Sequence, residues 1–283
     1  MHSFHRRLVL GLCQVLLVAA VVFTPVHAAL QPLKVYFFDV GQADCILIRT
    51  PNSRNILIDA GTNESAERVL SYLTAQKISR LDLVIATHPH EDHIGGMDAV
   101  IQKYSINQIS MPKAATNTRT FESLLLAIKA KGLKITTARA GLSFDLDPAL
   151  KLELVAPNRE SYENLNDYSA VLRIVYGRTA FLFAGDAGFT SEREMLRAGY
   201  DLRSDVLKVG HHGSNSSTAT GFLRVVGPSY AVISVGAGND YGHPGKSTLK
   251  RLNKAGIKVL RTDQAGTIIF TSDGNTVHYK AGE

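Results

Sequence analysis

Leu81-Asp82-Leu83-Val84-Ile85-Ala86-Thr87 runs straight into His88-Pro89-His90-Glu91-Asp92-His93, and this junction decides how the chain reads. The first segment is short, rich in aliphatic residues and closed downstream by Gly95-Gly96. It therefore reads as a buried strand that delivers the second segment onto a loop at its C-terminal end. Open α/β layers bind their ligands at that end of the strands. The second segment places four potential metal ligands, His88, His90, Asp92 and His93, in six positions. Surface-loop histidines serving no metal rarely reach that density, so a metal-dependent enzyme is the leading expectation.

The spacing suits two ions better than one. His88 and His90 alternate, so both fall on one side of an extended segment and can share an ion, while Asp92 and His93 point elsewhere and are free to hold another. Hydrolases of this kind keep their two ions about 3.5–4 Å apart, which requires a bridging carboxylate. Asp186 is the candidate, at the end of the apolar strand Ala180-Phe181-Leu182-Phe183-Ala184-Gly185; the competing reading is a helix N-cap for the segment near Phe189. A third strand, Asp205 to Val209, ends in Gly210-His211-His212-Gly213-Ser214, and at least one of its imidazoles is expected to complete the second metal site. Ser214 and Ser216 either donate to an anionic oxygen or cap the following helix. Asp59, ending Asn55-Ile56-Leu57-Ile58, is expected to orient a metal-bound histidine by accepting its other N–H. Asp39-Val40-Gly41-Gln42-Ala43-Asp44 reads equally well as a plain turn. His243, in Tyr241-Gly242-His243-Pro244, reads as an acid, a phosphate ligand or a surface residue.

Residues 1–28 combine Arg6 and Arg7, an apolar stretch from Leu8 to Phe23 and Val26-His27-Ala28, the features of a secretory signal peptide cleaved after Ala28. The stretch is shorter than the ~20 residues of a membrane span, with an uncleaved anchor as the rival reading. Export to the periplasm or exterior is the consequence, with no stable membrane association after cleavage. Cys13 lies in a poor lipidation context. Residues 29–283 then form one hydrolase-sized domain with Cys45 as its single cysteine, so no internal disulfide is available and Cys45 reads as a small buried apolar residue. Losing Arg6 and Arg7 lowers the net charge from +6 to +4, too little by itself to argue for a nucleic-acid partner. Of the histidines left after leader removal, only His278, in a terminal strand-like run, falls outside the three loop clusters.

Strand-like runs fall at 33–38, 44–50, 54–60, 81–87, 106–110, 151–155, 170–176, 179–185, 205–209, 230–235, 257–261, 265–271 and 275–280. Amphipathic helical runs fall near 64–77, 94–103, 119–131, 189–198, 218–226 and 246–255. Hairpin turns are expected at Tyr176-Gly177-Arg178-Thr179 and Ser272-Asp273-Gly274-Asn275. Strands come first as a meander and then alternate with helices, and the second half repeats that order. Two mixed sheets packed together with helices outside satisfy it.

With the order His-x-His-x-Asp-His, Gly-Asp and His-His-Gly-Ser, the chain resembles the metallo-β-lactamase superfamily, and within it the stand-alone relatives of the C-terminal hydrolase domain of the competence protein ComEC. Matching segments run from Asp39–Asp44 and Ile56–Gly61 through Thr87–Gly96, Asn166–Ser169, Phe183–Asp186 and Leu207–Ser214 to Tyr241–Pro244. The resemblance implies an α/β, four-layer αββα sandwich with a dinuclear centre at one edge of the sheets, Zn2+ first and Mn2+ second as the metal. It puts His88 and His90 on one ion, Asp92, His93 and His212 on the other, and Asp186 on both. His211 then faces the substrate, and Asp59, Asp39, Asp44, Asn166, Ser169 and Ser214 support the ligands from behind. Two positions depart from the pattern. Asn166, Asp167 and Ser169 stand where many members carry a further histidine, implying a weaker or more open first ion, and Ala43 replaces a usual Gly.

The implied reaction is hydrolysis of a phosphodiester, with nucleic acid as the favoured substrate and lipid or teichoic phosphodiesters as chemically equivalent ones. Asp92 would orient the nucleophile, and His211, His243 and the amides near Gly213 would steady charge or protonate the leaving group. The alternatives are an acyl hydrolase of lactonase or β-lactamase type and a non-catalytic, metal-stabilised DNA-capture protein. Structural zinc sites are closed by four protein ligands, whereas these Gly-rich loops read as open.

Overall fold

The computed structural model describes residues 31–282. The expected signal peptide, its cleavage after Ala28, and Cys13 lie outside the described residues. In chain order the first part contains β1 (Leu33–Phe37), β2 (Ile46–Arg49), β3 (Asn55–Ile58), α1 (Ala66–Ala75), β4 (Arg80–Leu81), β5 (Leu83–Ile85), α2 (Glu91–Ile94), α3 (Met97–Lys103), β6 (Ser105–Ile106), β7 (Ile109–Met111), α4 (Arg119–Ala130) and β8 (Ile135–Thr137). The second contains β9 (Leu150–Ala156), β10 (Val171–Tyr176), β11 (Thr179–Phe183), α5 (Phe189–Ala198), β12 (Val206–Lys208), α6 (Thr220–Val226), β13 (Tyr230–Ile233), α7 (Lys246–Lys254), β14 (Lys258–Arg261), α8 (Thr262–Ala265), β15 (Ile268–Ser272) and β16 (Val277–Ala281). Single 3-10 turns occupy Leu165–Tyr168 and Gly210–Gly213.

These strands build two large mixed sheets, one in the order β16-β15-β1-β2-β3-β5-β7-β8 and the other β14-β13-β12-β11-β10-β9. Each opens as an antiparallel meander and continues as parallel strands joined through helices, β3-β5-β7-β8 in the first and β11-β12-β13-β14 in the second. The last hairpin, β15–β16, returns to the first sheet beside β1.

Period-two alternation explains the layering. Val35 and Phe37, Ile46 and Ile48, Ile56 and Ile58 face the same apolar layer as Leu172, Ile174, Phe181 and Phe183 of the other sheet. The intervening Tyr36, Leu47, Leu57 and Val84 face outward, onto α1, α3 and α4. In the second sheet Leu182, Leu207, Ala231 and Ile233 pack against α5, α6 and α7. Three buried layers, one between the sheets and one under each set of helices, make the αββα sandwich. Among the described residues no helix is long and apolar enough to cross a membrane.

Three local readings need correction. The run expected as one strand at 81–87 is broken, because Asp82 turns its carboxylate to the Asn55 N–H (2.9 Å) and pairs with Arg80 (2.5 Å) and Arg54 (3.4 Å). Arg80–Leu81 is left to pair separately with β6. The Ser272 turn is a four-residue loop, since Ser272 pairs with Val277. The Asp273 carboxylate accepts the N–H groups of Asn275 and Thr276 (both 2.8 Å). The Gly177-Arg178 turn, by contrast, is the expected two-residue connection, with Tyr176 opposite Thr179. Finally β8, α2 and α8 form from runs too short to show a period.

One buried carboxylate ties the helical layer to the loops above it. Glu192, in the first turn of α5, accepts the backbone N–H groups of Thr218 and of Ala219 (2.8 Å), just ahead of α6. Burial pushes its pKa up to about 7. The unfolded side chain ionises near pH 4.5, so between there and pH 7 the folded chain retains a proton that the unfolded chain has released. Stability then falls as pH rises through that window, by about 3 kcal/mol in total. Chemical denaturation between pH 4.5 and 7, at fixed metal content, is expected to show this component in the parent protein and its loss in Glu192→Gln.

Candidate metal centre

The expected ligands follow strand ends, and the acids expected to support them flank strands of the same sheet edge. Asp44 precedes β2 and Asp59 follows β3. His88 to His93 follow β5, Asp186 follows β11, and His211 and His212 follow β12. Backbone hydrogen bonds lock these loops together, with the Asp44 N–H donating to the Asp92 carbonyl (3.1 Å), the Ala60 N–H to the His93 carbonyl (2.7 Å) and the His211 N–H to the Gly185 carbonyl (3.1 Å). The turn carrying His93 is docked so closely that a Cβ on Gly95 would lie 2.2 Å from the Asn63 nitrogen. Asp59 (φ 58°), His211 (φ 49°) and His212 (φ 49°) are all held in the left-handed backbone region, which non-glycine residues rarely occupy.

Two groups of donors converge. Asp92, His93, Asp186 and His212 offer ligand atoms that all lie within 4.8 Å of one another, as do those of His88, His90 and Asp186. In the first group His212 Nε2 is 3.1 Å from Asp92 Oδ2 and 3.6 Å from Asp186 Oδ1. His93 Nε2 is 3.2 Å from Asp186 Oδ1 and 3.8 Å from Asp92 Oδ2. Ligands about 2.0–2.1 Å from a tetrahedral ion stand roughly 3.4 Å apart, so these separations fit. In the second group His88 Nε2 lies 3.0 Å from His90 Nδ1 and 3.8 Å from Asp186 Oδ2. Asp186 thus turns one oxygen to each group.

The fit is chemical as well as geometric. His93 Nε2 and Asp186 Oδ1 are buried yet have no hydrogen-bond partner, two acceptors facing one another as ligands do around a cation. The opposite nitrogens fix the tautomers. His93 Nδ1–H donates to Asp59 Oδ2 (2.7 Å), and His212 Nδ1–H donates to the Ser234 carbonyl (2.8 Å). Asp59 also accepts the Thr87 N–H (2.8 Å) and hydroxyl (2.7 Å). His88 Nδ1 faces the hydroxyl of Thr87 at 3.1 Å and of Ser169 at 3.5 Å, and Ser169 in turn accepts the Asp186 N–H (3.0 Å). Each of these three imidazoles therefore keeps Nε2 for the centre.

The electrostatics reflect acids and imidazoles packed into a dry volume. Burial would raise the Asp186 pKa, but His93, His212 and His88 outweigh it and hold the carboxyl well below its usual range. Burial likewise opposes the ionised forms of His93 and His212, yet the surrounding carboxylates, Asp186 foremost, push both up. His88, with less acid around it, is driven well down by burial. Behind the centre lies a residue that sequence reasoning misses. Lys208 is fully buried, its ammonium 2.5 Å from Asp44 Oδ2 and 3.3 Å from the Gly185 carbonyl. The one signal for it is a lysine inside a strand that is otherwise apolar.

The centre opens into a cleft of about 350 Å³ bounded by Gln42, Glu91, Asn166, His211, Tyr241 and His243 besides the ligand groups. His211 sits 3.8 Å from Asp186 with its ring against the Asn166 amide (3.3 Å), outside the four-donor group that contains His212. Burial lowers the pKa of both His211 and His243, whose rings stand 5.3 Å apart. Two expected supporting residues are not brought in. The Asp39 carboxylate closes its own turn by accepting the Gly41 N–H (3.2 Å), and the Ser214 hydroxyl bonds Ser216 (3.0 Å). Asp167, near the position of the departing histidine, is turned away toward the start of α5. His278 lies in β16, far along the chain from these loops and bonded to Thr276.

The sequence profile of the metallo-beta-lactamase superfamily matches residues 38–237, which contain every donor described above. The chain belongs to this superfamily. Within it, the protein is 32% identical over 254 residues to ComE operon protein 3 of Bacillus subtilis, covering 84% of this chain and 33% of that one. It is also 32% identical over 257 residues to competence protein ComA of Neisseria gonorrhoeae, covering 90% and 34%. The chain thus spans about a third of the length of these curated relatives. Among solved structures, the metallo-beta-lactamase fold protein YhfI from Bacillus subtilis superposes with a TM-score of 0.53 at 13% identity, over 83% of this chain and 99% of that one. CmlA, a diiron beta-hydroxylase from Streptomyces venezuelae, gives 0.56 at 12%, over 82% and 53%. At such identities the likeness concerns the fold alone. The superfamily's His/Asp clusters are present here as sets able to hold divalent metal ions.

Because Asp186 faces both donor groups, Asp186→Asn is expected to abolish tight binding of divalent metal at both. Asp59→Asn, which disturbs the support of His93 and Thr87 but removes no member of either donor group, is expected to weaken binding by about 10–100-fold. Titration of the EDTA-stripped protein with Zn2+ or Mn2+, read by calorimetry, checks both outcomes.

Proposed function

We propose that the protein is an exported dinuclear-metal phosphodiesterase acting on nucleic acid, with Zn2+ as the first candidate metal and Mn2+ as the second. The observation that carries this reading is the shared carboxylate of Asp186 between a three-donor and a four-donor group, one edge of which opens into a cleft. Two divalent ions held there would lower the pKa of water and neutralise charge on both entering and leaving oxygens. His88, His90 and Asp186 would hold one ion, and Asp92, His93, His212 and Asp186 the other.

The chain's own groups then divide the remaining work. Asp92 is about a third exposed at the cleft, so its carboxylate can accept a hydrogen bond from the attacking water while His212 fixes its orientation. Burial disfavours the charged forms of His211 and His243, and from the cleft wall each would offer one N–H to a phosphoryl oxygen. The Asn166 amide, against the His211 ring, steadies that imidazole. Among the described residues the three-residue set around His88 has no fourth protein ligand, which would leave room for a phosphoryl oxygen. Similarity to the competence protein ComA of Neisseria gonorrhoeae supports nucleic acid as the substrate.

Hydrolysis of bis-p-nitrophenyl phosphate and of linear DNA is expected with Zn2+ or Mn2+ and lost with EDTA. Asp92→Ala is expected to lower kcat by at least about 100-fold, the scale of a positioned acid–base group. Undiminished hydrolysis in EDTA, or turnover of nitrocefin with both phosphodiesters inert, would refute the reading.

A further inference from the structure

The cations of this chain are unevenly placed. Between Ser214 and Arg261 seven Lys or Arg residues face a single acid, Asp240. Three of the seven are engaged. Arg251 donates to the Thr218 and Ser217 carbonyls (both 2.8 Å), Lys258 lies over the Tyr279 ring, and Arg261 pairs with Asp263. The other four, Arg224, Lys246, Lys250 and Lys254, are exposed and have no ion-pair partner among the described residues.

Their arrangement is regular. Lys246, Lys250 and Lys254 stand four residues apart along α7, so they form one row with a spacing of about 6 Å. Lys250 and Lys254 of this row line a groove of about 660 Å³ between α6 and α7, which Leu223, Arg224, Pro228 and Ile257 also line. The Lys246 end of the row adjoins a loop of the metal centre. The Gly245 N–H donates to the Gly213 carbonyl (2.9 Å) and the Ser247 N–H to Asn215 Oδ1 (3.2 Å), so the first turn of α7 is bonded to the loop that carries His211 and His212. At the cleft itself Tyr241 is 73% exposed, more than any other large apolar residue described. One face of its ring stacks on His243 (centroids 5.8 Å, interplanar angle 23°), and the ring lines the cleft.

An aromatic ring left open beside a basic row is the combination by which proteins hold unpaired nucleic acid strands, the ring stacking a base and the cations tracking successive phosphates. A duplex keeps its bases paired and cannot lay one on the Tyr241 ring. An acidic peptide supplies charge but no planar face for the ring. We infer that Tyr241 and the row Lys246, Lys250 and Lys254, with Arg224 opposite, form a tracking site that leads a single-stranded polynucleotide into the metal cleft. This rests on the phosphodiesterase reading for its purpose, but its binding can be measured without catalysis.

Fluorescence anisotropy of a labelled dT20 oligonucleotide in EDTA reads the site directly. Parent protein is expected to bind the single strand more tightly than the corresponding duplex. The triple variant K246Q/K250Q/K254Q should bind at least about tenfold more weakly at low salt, and its plot of log Kd against log salt should be shallower by about 2, the share of three phosphate contacts on a single strand. Tyr241→Leu should cost about tenfold and Tyr241→Phe should restore binding, as stacking but not the hydroxyl is required. Circular dichroism melts establish that the variants fold. An unchanged salt slope in the triple variant, equal binding of Tyr241→Leu, or displacement of the oligonucleotide by vesicles of phosphatidylglycerol or by poly-glutamate at matched charge would overturn the proposal. Hydrolysis of bis-p-nitrophenyl phosphate by the parent protein tests the metal reading alone, so each can fail without the other.

Discussion

Buried carboxylate charge that must be balanced on the spot governs this molecule. Asp44, Asp59 and Asp186 are almost completely removed from solvent, and Asp92 adds a fourth carboxylate at the cleft. Lys208 supplies an ammonium against Asp44, and Thr87 and His93 satisfy Asp59. Among the described residues the Asp186 carboxylate has no such partner beyond imidazole nitrogens. A lone ionised carboxylate in a low-dielectric interior costs many times what a folded domain can spare. The surrounding carboxylates push the pKa values of His93 and His212 up, and divalent cations would answer the same need with more charge in less volume.

That need can be met only by the assembled sandwich. Asp44, Asp59 and the His88–His93 loop belong to the eight-stranded sheet, while Asp186 and His212 belong to the six-stranded one. The donors meet across the seam where Phe37 packs on Phe183 (ring centroids 6.0 Å). Sheet docking and site formation are therefore one event, and any ion held there contributes to folding as well as to chemistry.

Much of this is legible in the sequence because the ligands come directly after strands. An aliphatic run ending in His-x-His-x-Asp-His, and a second ending in Gly-Asp, state both the element and where its side chains emerge. Asp59 is readable as the partner of a ligand histidine because imidazoles need an acceptor on their far nitrogen. Lys208 is not, since a lysine in a strand ordinarily marks a solvated face and only the sheet-to-sheet packing reveals Asp44 behind it. Asp39 and Ser214 mislead for the opposite reason, as short polar side chains beside glycine serve their own turns as readily as a neighbour's site. The break at Asp82 and the extra residues after Ser272 depend on side-chain to backbone bonds that no hydrophobic period records.

The left-handed backbone at Asp59, His211 and His212 carries a cost of its own. Each such residue stores about 1–3 kcal/mol that glycine, or in part asparagine, would release. The two residues that orient and complete the four-donor group are thus also among the least comfortable in the chain. Replacing them by glycine would therefore relax the backbone while removing a side chain from the donor cluster, so steadiness of the scaffold and completeness of the site pull in opposite directions here.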